Sequence, residues 1–488
     1  MPELREPSDR PPDPAAFVPG LAEAPPGFWE LFDRHRTALV TIAATLAAVF
    51  LAIALPLLGY RTNQAPHRLF KVVAVLGVLA FLAARPRTIP YLLCLALPFA
   101  DWLPKSPIPF VNAANLLVFG SLIGVAILML QGKVQGVVAT PLDLPYLVFA
   151  IALLLSMIHG IFLWKSPDAP GPFVKLQGVW LIVEGFLAFP IVTHLVGDRK
   201  QVGRMIGWVM IGGFAAVLGP VREALEFGFG YRTPGGLGDI NRMAAYLAIG
   251  GVFSLSMLAA YRGPKRVLIA VAALAQAIGL ILPNSRGGYA GYLAAALPQS
   301  LRTSLVSTVL LLAVLGSSFF WAPSFVRERI VATYTAAEAD DAATALDATS
   351  GGRITVWKAI LKVVAEHPIA GVGFGNLIPA TGLAAGVFKH AHNLYLQVAG
   401  EMGIVGLLLL LWLFYSCWRL GSRLIPRGGR PAALGRAYHG VILSLFVLNL
   451  FGQRFLDFSL AGLFFLITGI VAVEERLTRN DTSMEETG

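Results

Sequence analysis

Fourteen apolar segments follow one another along this 488-residue chain, separated by polar or Gly- and Pro-containing stretches. A helix of about 20 apolar residues can cross a bilayer, because it satisfies every backbone polar group internally. Several of the segments are shorter than a straight span needs, and 88–103 and 287–299 are the weakest candidates. We therefore predict an all-α polytopic membrane protein with 12–14 transmembrane helices. The fourteen segments are 38–58, 69–84, 88–103, 111–130, 142–163, 173–196, 205–220, 239–260, 267–283, 287–299, 303–322, 391–418, 437–453 and 456–474.

The composition excludes the common soluble classes of protein. Hydrophobic residues make up 56% of the chain and charged residues only 14%, against about 25% charged residues in an ordinary soluble domain. A soluble enzyme, a disordered protein and a nucleic-acid-binding protein are all excluded on this ground. The net charge of +10 is explained by Arg and Lys in cytoplasmic loops, which orient membrane proteins. The only cysteines, Cys94 and Cys417, lie in apolar runs and predict no disulfide.

The polar stretches divide the chain into five parts. A Pro-rich tail at 1–36 precedes a transmembrane region at 37–322, and a large loop follows at 323–389. The C-terminal transmembrane helices occupy 390–475, before a short tail at 476–488. Lys and Arg are more numerous in the short loops on the side of the two tails. We therefore predict cytoplasmic termini and an extracytoplasmic large loop.

The large loop contains amphipathic helical sequence at 353–367. Pro368 should end this helix, because proline cannot continue the hydrogen-bond ladder. Such a helix would lie on the membrane surface or cover a cavity. The glycines of 371–375 predict sharp turns and not a nucleotide-binding loop, because no βαβ unit surrounds them. The apolar face of the helix is predicted to comprise Trp357, Ile360, Leu361 and Val364.

Three glycine-rich clusters place polar residues on the predicted extracytoplasmic side. In 235–242, Asn241 and Arg242 either face a polar substrate or, with Asp239 and Asn241 as caps, simply begin a helix. In 284–288, Arg286 is either a snorkelling residue at a tight turn or part of a phosphate site with helix N-terminal amides. Arg353, which follows two glycines, offers a second guanidinium.

Two histidines lie at the mouth of the twelfth segment, in the sequence His390-Ala391-His392-Asn393. A general base fits this position, because neutral imidazole accepts protons near physiological pH. A metal-binding pair is the alternative, but no Cys, Asp or Glu lies nearby in sequence to complete it. The two histidines are expected to occupy helical positions i and i+2, so their side chains point about 200° apart and cannot both face one acceptor.

Polar residues also occur inside the apolar segments. Asn393, Gln397 and Glu401 recur every four residues, which predicts a polar stripe facing a cavity or a partner helix. Glu184, in the middle of the sixth segment, requires a partner or a proton at that depth.

Taken in this order around one large loop, the clusters resemble the O-antigen ligase and O-antigen polymerase superfamily of bacterial membrane glycan transferases. The resemblance covers about 235–406, and the first 230 residues match in hydropathy alone. The motifs are Gly-Asp-Ile-Asn (238–241), Asn-Ser-Arg-Gly-Gly (284–288), Gly-Arg-Ile-Thr-Val-Trp-Lys (352–358), His-Pro-Ile-Ala-Gly-Val-Gly-Phe-Gly-Asn (367–376), His-Ala-His-Asn-Leu-Tyr-Leu-Gln (390–397) and Glu-Met-Gly-Ile-Val-Gly (401–406).

The resemblance implies a glycosyltransferase of the bacterial inner membrane that needs no metal and no other cofactor. It would move a glycan from undecaprenyl diphosphate onto an acceptor hydroxyl at the periplasmic face, with lipid A–core as the expected acceptor. Its partners would be the lipid-linked donor, a lipid-linked or glycan acceptor and membrane lipids, and not nucleic acid. The functional residues of the family map to Arg286, Arg353 and His392. We further expect the substrates to contact Asn241, Arg242, His390, Asn393 and Gln397.

Three other functions remain open at this point. A polymerase of the same superfamily and a pilin oligosaccharyltransferase differ from a ligase only in the acceptor. A transporter or flippase belongs to a different class and would favour inverted repeats and charges at the bilayer midplane. Only Glu184 is placed in that way in the sequence.

Overall fold

The computed structural model describes residues 84–102, 113–134, 138–162, 164, 169–303, 309, 324–338, 341–383 and 390–487. The chain divides into two units, Met1–Ala84 and Arg85–Gly488, and all the helices named below belong to the second. The predicted tail at 1–36 and the segment 38–58 lie outside the described residues, as do 69–83 and most of 303–322.

All regular structure in the described ranges is helical, in agreement with the predicted fold class. Short 3₁₀ turns connect several of the α-helices. The α-helices are α1 (Ile89–Ala96), α2 (Ala113–Leu130), α3 (Asp143–Phe162), α4 (Pro172–Phe186), α5 (Ala188–Leu195), α6 (Arg199–Ala216), α7 (Leu218–Phe227), α8 (Ile240–Met257), α9 (Gly263–Gly279), α10 (Arg286–Thr303), α11 (Ser324–Ala337), α12 (Ala342–Ser350), α13 (Arg353–Glu366), α14 (Leu377–Ala380), α15 (Leu394–Ser422), α16 (Gly429–Leu448) and α17 (Phe458–Thr487).

Seven helical stretches in the described part are long and apolar enough to cross a membrane. Each coincides with a predicted segment, which confirms a polytopic, all-α membrane protein. A shorter apolar helix covers Val118–Leu130. The seven stretches are Asp143–Phe162, Pro172–Leu195, Arg199–Phe227, Ile240–Ala260, Leu394–Arg427, Gly429–Leu448 and Phe458–Asp481.

The segment 88–103 is not the single span that we predicted. Helix α1 has only 8 residues and lies between 3₁₀ turns at Pro86–Thr88 and Leu97–Phe99. Proline lacks a backbone N–H and can begin a helix but not continue it. Within the segment, Pro90 lies at the start of α1 and Pro98 at the start of the second 3₁₀ turn, so the apolar run is divided into short helical pieces.

The last helix, α17, is the centre of the fold. Its most apolar stretch is 94% buried inside the protein, and it packs against α4, α5 and α6. A helix that is apolar on every side is stable either in lipid or among other helices, and other helices cover most of this stretch of α17. A second group, in which α8 packs against α9, α10 and α16, brings the beginnings of α8 and α10 to the end of α16.

The large loop contacts the membrane helices at a break in α15. At Gly403 the backbone is non-helical, with φ 66° and ψ −169°, and a Cβ there would lie 2.0 Å from the carbonyl oxygen of Ile369. The glycine-rich segment 371–375 docks beside this break, where the N–H of Val372 donates to the carbonyl of Gly400 at 2.9 Å. The predicted sharp turns are therefore present and serve to dock the loop.

Helix α13 confirms the predicted amphipathic helix, but its buried face is rotated. The buried residues are Val356, Ile360 and Val363, which are spaced i, i+4, i+7. Leu361 is 54% exposed, so its assignment to the buried face was wrong. Trp357 is partly buried and donates its indole N–H to the carbonyl of Ala391 at 2.8 Å. This contact orients the helix against the segment that precedes α15.

Candidate active site

A cavity of about 210 Å³ lies where α8 and α10 begin and α16 ends. Four of its lining residues are arginines, and none of the described lining residues is acidic. Guanidinium groups bind phosphate through paired, charge-assisted hydrogen bonds. The cavity is therefore suited to an anion with several charged oxygens. The polar and charged residues that line it are Arg232, Asn241, Ser285, Arg286, Thr349, Ser350, Arg353 and Arg454.

Arg286 is the first residue of α10, and the turn before it is fixed by hydrogen bonds. The Ser285 hydroxyl donates to the Asn241 side chain at 2.8 Å and accepts from the N–H of Gly288 at 3.4 Å. A Cβ on Gly288 would lie 2.6 Å from a side chain of α8, so glycine allows the two helices to approach closely. The Arg286 guanidinium donates to the carbonyl of Thr349 at 2.7 Å, which joins α10 to the large loop.

Arg353 is the first residue of α13, on the other side of the cavity. Gly351 and Gly352, with φ of 74° and 77°, form the turn before it. The Asp347 carboxylate caps the helix by accepting from the N–H of Ile354 at 2.9 Å. Burial lowers the pKa of Arg353, and the charge of Arg286 lowers this pKa further. Two arginines far apart in sequence are thus brought to one cavity.

The two histidines precede α15 and do not lie within it. His392 has a left-handed backbone, with φ 52°, and the helix begins at Leu394. The chain therefore turns, and the rings of His390 and His392 meet edge to face with their centroids 4.2 Å apart. The expectation that these rings point apart was wrong, because it assumed helical backbone. In the described ranges, no three His, Cys, Asp or Glu side chains are grouped to hold a metal ion.

The surroundings of His392 hold its imidazole in the neutral form. Burial lowers its pKa to about 4, and the charges of His390, Arg353 and Arg454 contribute to the shift. Burial and the charge of Arg454 also lower the pKa of His390. A neutral imidazole can accept a proton at physiological pH. The histidine pair therefore supplies a candidate base within the electrostatic field of the arginine cavity.

The sequence of this region matches that of a known family. Residues 269–411 match the family model described as O-antigen ligase. Residues 269–411, which resemble this family, are called the O-antigen ligase domain below. The match confirms the resemblance to the superfamily, and it includes Arg286, Arg353 and both histidines of the site. No curated protein matches the chain.

Two arginines of the cavity lie outside the O-antigen ligase domain and were not singled out by the sequence motifs. Arg232 precedes α8 and donates to the carbonyl of Asn284 at 3.4 Å. Arg454 lies in the turn between α16 and α17, with its Nη1 3.8 Å from a carboxylate oxygen of Asp239. The sequence indicates these two arginines only through their position on the predicted extracytoplasmic side, where basic residues are less common.

Of the two predicted substrate contacts in the first turn of α8, the structure brings one to the cavity. Asn241 lines it. Arg242 is not a lining residue and instead pairs with Asp457 at 2.8 Å. Asp239 accepts from the backbone N–H of Arg242 at 2.8 Å and so caps α8, which was the alternative considered for this segment.

Asn393 and Gln397 hold the histidine segment of the O-antigen ligase domain in place. The Asn393 side chain caps α15 by accepting from the N–H groups of Tyr395 and Leu396 at 3.0 and 3.1 Å. The Gln397 side chain accepts from the N–H of Ala391 at 3.0 Å. Their exposed fractions are 8% and 7%. In this structure both amides are therefore engaged within the protein.

Two ionisable residues of α4 are buried. The Lys175 ammonium donates to the Gly160 carbonyl and the Asn376 side chain, both at 2.6 Å. Glu184 is 1% exposed, and neither of its carboxylate oxygens has a hydrogen-bond partner among the described residues. The two acceptors explain how Lys175 can be buried. Glu184 still requires a partner or a proton, as the sequence predicts.

Proposed function

We propose that this protein transfers a glycan from undecaprenyl diphosphate to an acceptor hydroxyl at the periplasmic face of the bacterial inner membrane. An O-antigen ligase activity with a lipid A–core acceptor is the form that the matched family favours. The observation that carries the proposal is the four-arginine cavity together with the half-buried His392. His392 does not line the cavity, but burial and the charges of His390, Arg353 and Arg454 lower its pKa. A membrane protein with this site can meet a donor and an acceptor that are both anchored in lipid.

The site contains groups for both halves of the transfer. The bond between the sugar carbon and the diphosphate oxygen breaks, and its electron pair remains on the diphosphate. Arg286 and Arg353 stabilise this developing negative charge, which is the largest contribution in many transfer reactions. The acceptor oxygen forms the new bond to the sugar carbon while its proton passes to His392. Binding of the diphosphate would explain why basic residues are grouped on the extracytoplasmic side, although Lys and Arg are usually more numerous on the cytoplasmic side.

The proposed topology predicts where reporter proteins will be active. A phosphatase that works only outside the cytoplasm should be active when inserted near Ala345, in the large loop, and inactive near Gly428, between α15 and α16. A fluorescent reporter that folds only in the cytoplasm should give the reverse pattern. Gly428 is a suitable control because it lies at the end of α15 opposite to His392. Cytoplasmic activity near Ala345 would contradict the proposed periplasmic site.

The function itself is tested with purified protein in lipid. Incubation with an undecaprenyl diphosphate-linked oligosaccharide and lipid A–core should yield the joined product and free lipid diphosphate. Elongation of the donor glycan without lipid A–core would identify a polymerase, and transfer to a pilin would identify a protein oligosaccharyltransferase. Solute uptake by proteoliposomes without any transfer would instead support the transporter class.

A further inference from the structure

The peptide units between the two histidines are held from two sides. On one side, the indole N–H of Trp357 donates to the carbonyl of Ala391 at 2.8 Å. On the other, the Gln397 side chain of α15 accepts from the N–H of Ala391 at 3.0 Å. Ala391 is fully buried. Because its carbonyl belongs to the peptide unit that leads into His392, the Trp357 contact restricts the backbone of the candidate base directly.

The backbone of His392 needs such restraint. Its φ of 52° is a conformation that residues with a Cβ rarely adopt and that persists only when the surroundings impose it. Immediately after it, the Asn393 side chain begins α15, and the N–H of Leu394 donates to the carbonyl of Asn449 at 2.9 Å. The chain is thus fixed on both sides of a strained residue.

Trp357 also belongs to the helix that carries Arg353. The two residues are four positions apart in α13, so they lie on the same side of the helix, one turn from each other. Docking of α13 therefore does two things at once. It brings the Arg353 guanidinium to the cavity, and it delivers a hydrogen-bond donor to the segment of His392.

We propose that Trp357 is a positioning residue for the transfer reaction, whose indole N–H fixes the His392 segment relative to Arg353. This proposal rests on the proposed function, in which His392 is the base. Trp357 touches no reacting atom in this role. It determines how long the imidazole stays within reach of the acceptor hydroxyl, since reacting groups tolerate little displacement.

The test is the replacement Trp357→Phe, which removes the N–H and keeps an aromatic ring. We expect kcat to fall roughly tenfold, which corresponds to the loss of one hydrogen bond. KM for the lipid-linked donor should change less than twofold, because Arg353 remains on a docked helix. A matched control is Tyr395→Phe, which removes the bond from the Tyr395 hydroxyl to the carbonyl of Phe446 at 2.8 Å. The control should keep normal kcat and KM.

A pH profile separates positioning from a loss of stability. The charged and titratable groups around His392 are His390, Arg353, Arg454 and Asp239. If the segment loosens in Trp357→Phe, the imidazole moves away from the two arginines, and its pKa rises. The acidic limb of the kcat/KM profile, which reports pKa values of the protein before the substrates bind, should then move to higher pH than in the wild-type protein. A purely structural role would lower the amount of folded protein without moving this limb.

A second variant keeps the proposal testable if Trp357→Phe does not accumulate in the membrane. Gln397→Met removes the acceptor on the opposite side of Ala391 with little change in volume, and it should lower kcat while leaving KM within twofold. Normal kcat and an unmoved pH profile in folded Trp357→Phe, with His392→Gln inactive, would overturn the positioning role alone. Full activity of His392→Gln would instead overturn the proposed function on which that role rests.

Discussion

Replacing His392 by glutamine is expected to lower the rate of glycan transfer by about 10²–10⁴-fold, the usual cost of losing a general base. Glutamine keeps a polar side chain of similar reach, but its amide cannot accept a proton near neutral pH. His392→Ala should fall in the same range. Single-turnover transfer by the purified variants measures this effect, and their accumulation in the membrane shows that they fold.

The neighbouring histidine provides the control for this prediction. The rings of His390 and His392 are in contact. His390→Gln should therefore change the surroundings of His392 and reduce the transfer rate, but by less than His392→Gln does. An inactive His390→Ala together with an active His392→Ala would reverse the assignment of the base. Activity that requires a metal ion and is lost with a chelator would support the alternative in which the pair binds a metal.

The second large effect concerns the two arginines of the O-antigen ligase domain. Removing one donor that stabilises developing charge costs about 10²–10³-fold in rate, and we expect this loss in both Arg286→Ala and Arg353→Ala. Lysine should restore little of it, because an ammonium group keeps the charge but cannot form the paired hydrogen bonds of a guanidinium. Transfer rates at saturating donor measure the effect.

Arg242→Lys is the matched control for the arginine variants. Arg242 lies at the same end of the helices but pairs with Asp457 and does not line the cavity. Its replacement should therefore have a much smaller effect on the rate. Full transfer activity in both Arg286→Lys and Arg353→Lys, at normal protein levels, would show that the diphosphate binds elsewhere.

The elements that were predicted correctly from the sequence are those that depend on a local pattern of residues. Seven apolar segments became long membrane helices because their length and hydropathy suffice to identify a span. Helix α13 matches its predicted bounds within one residue, since two glycines and a proline mark its ends. The prediction of a single span at 88–103 was wrong because Pro90 and Pro98 interrupt the apolar run.

The site was predicted less completely because it depends on distant contacts. The glycine-arginine motifs identified Arg286 and Arg353, which line one cavity. Arg454 reaches this cavity from the turn between the last two spans, and no local motif indicates that placement. The orientation of the histidine pair was missed because the left-handed backbone of His392 cannot be read from periodicity.

In the proposed transfer, the charges around His392 would link the strength of this base to the presence of the donor. Burial, together with cations that include Arg353 and Arg454, holds its pKa at about 4 in the free protein, so the imidazole attracts a proton only weakly. A bound lipid diphosphate would bring about two negative charges to the same arginines and raise this pKa. In the proposed transfer, the bound donor thus strengthens the base that takes the proton from the acceptor hydroxyl. Before the donor binds, the His392 imidazole would be too weak a base to activate water or an acceptor hydroxyl. The donor would therefore bind first and the acceptor second.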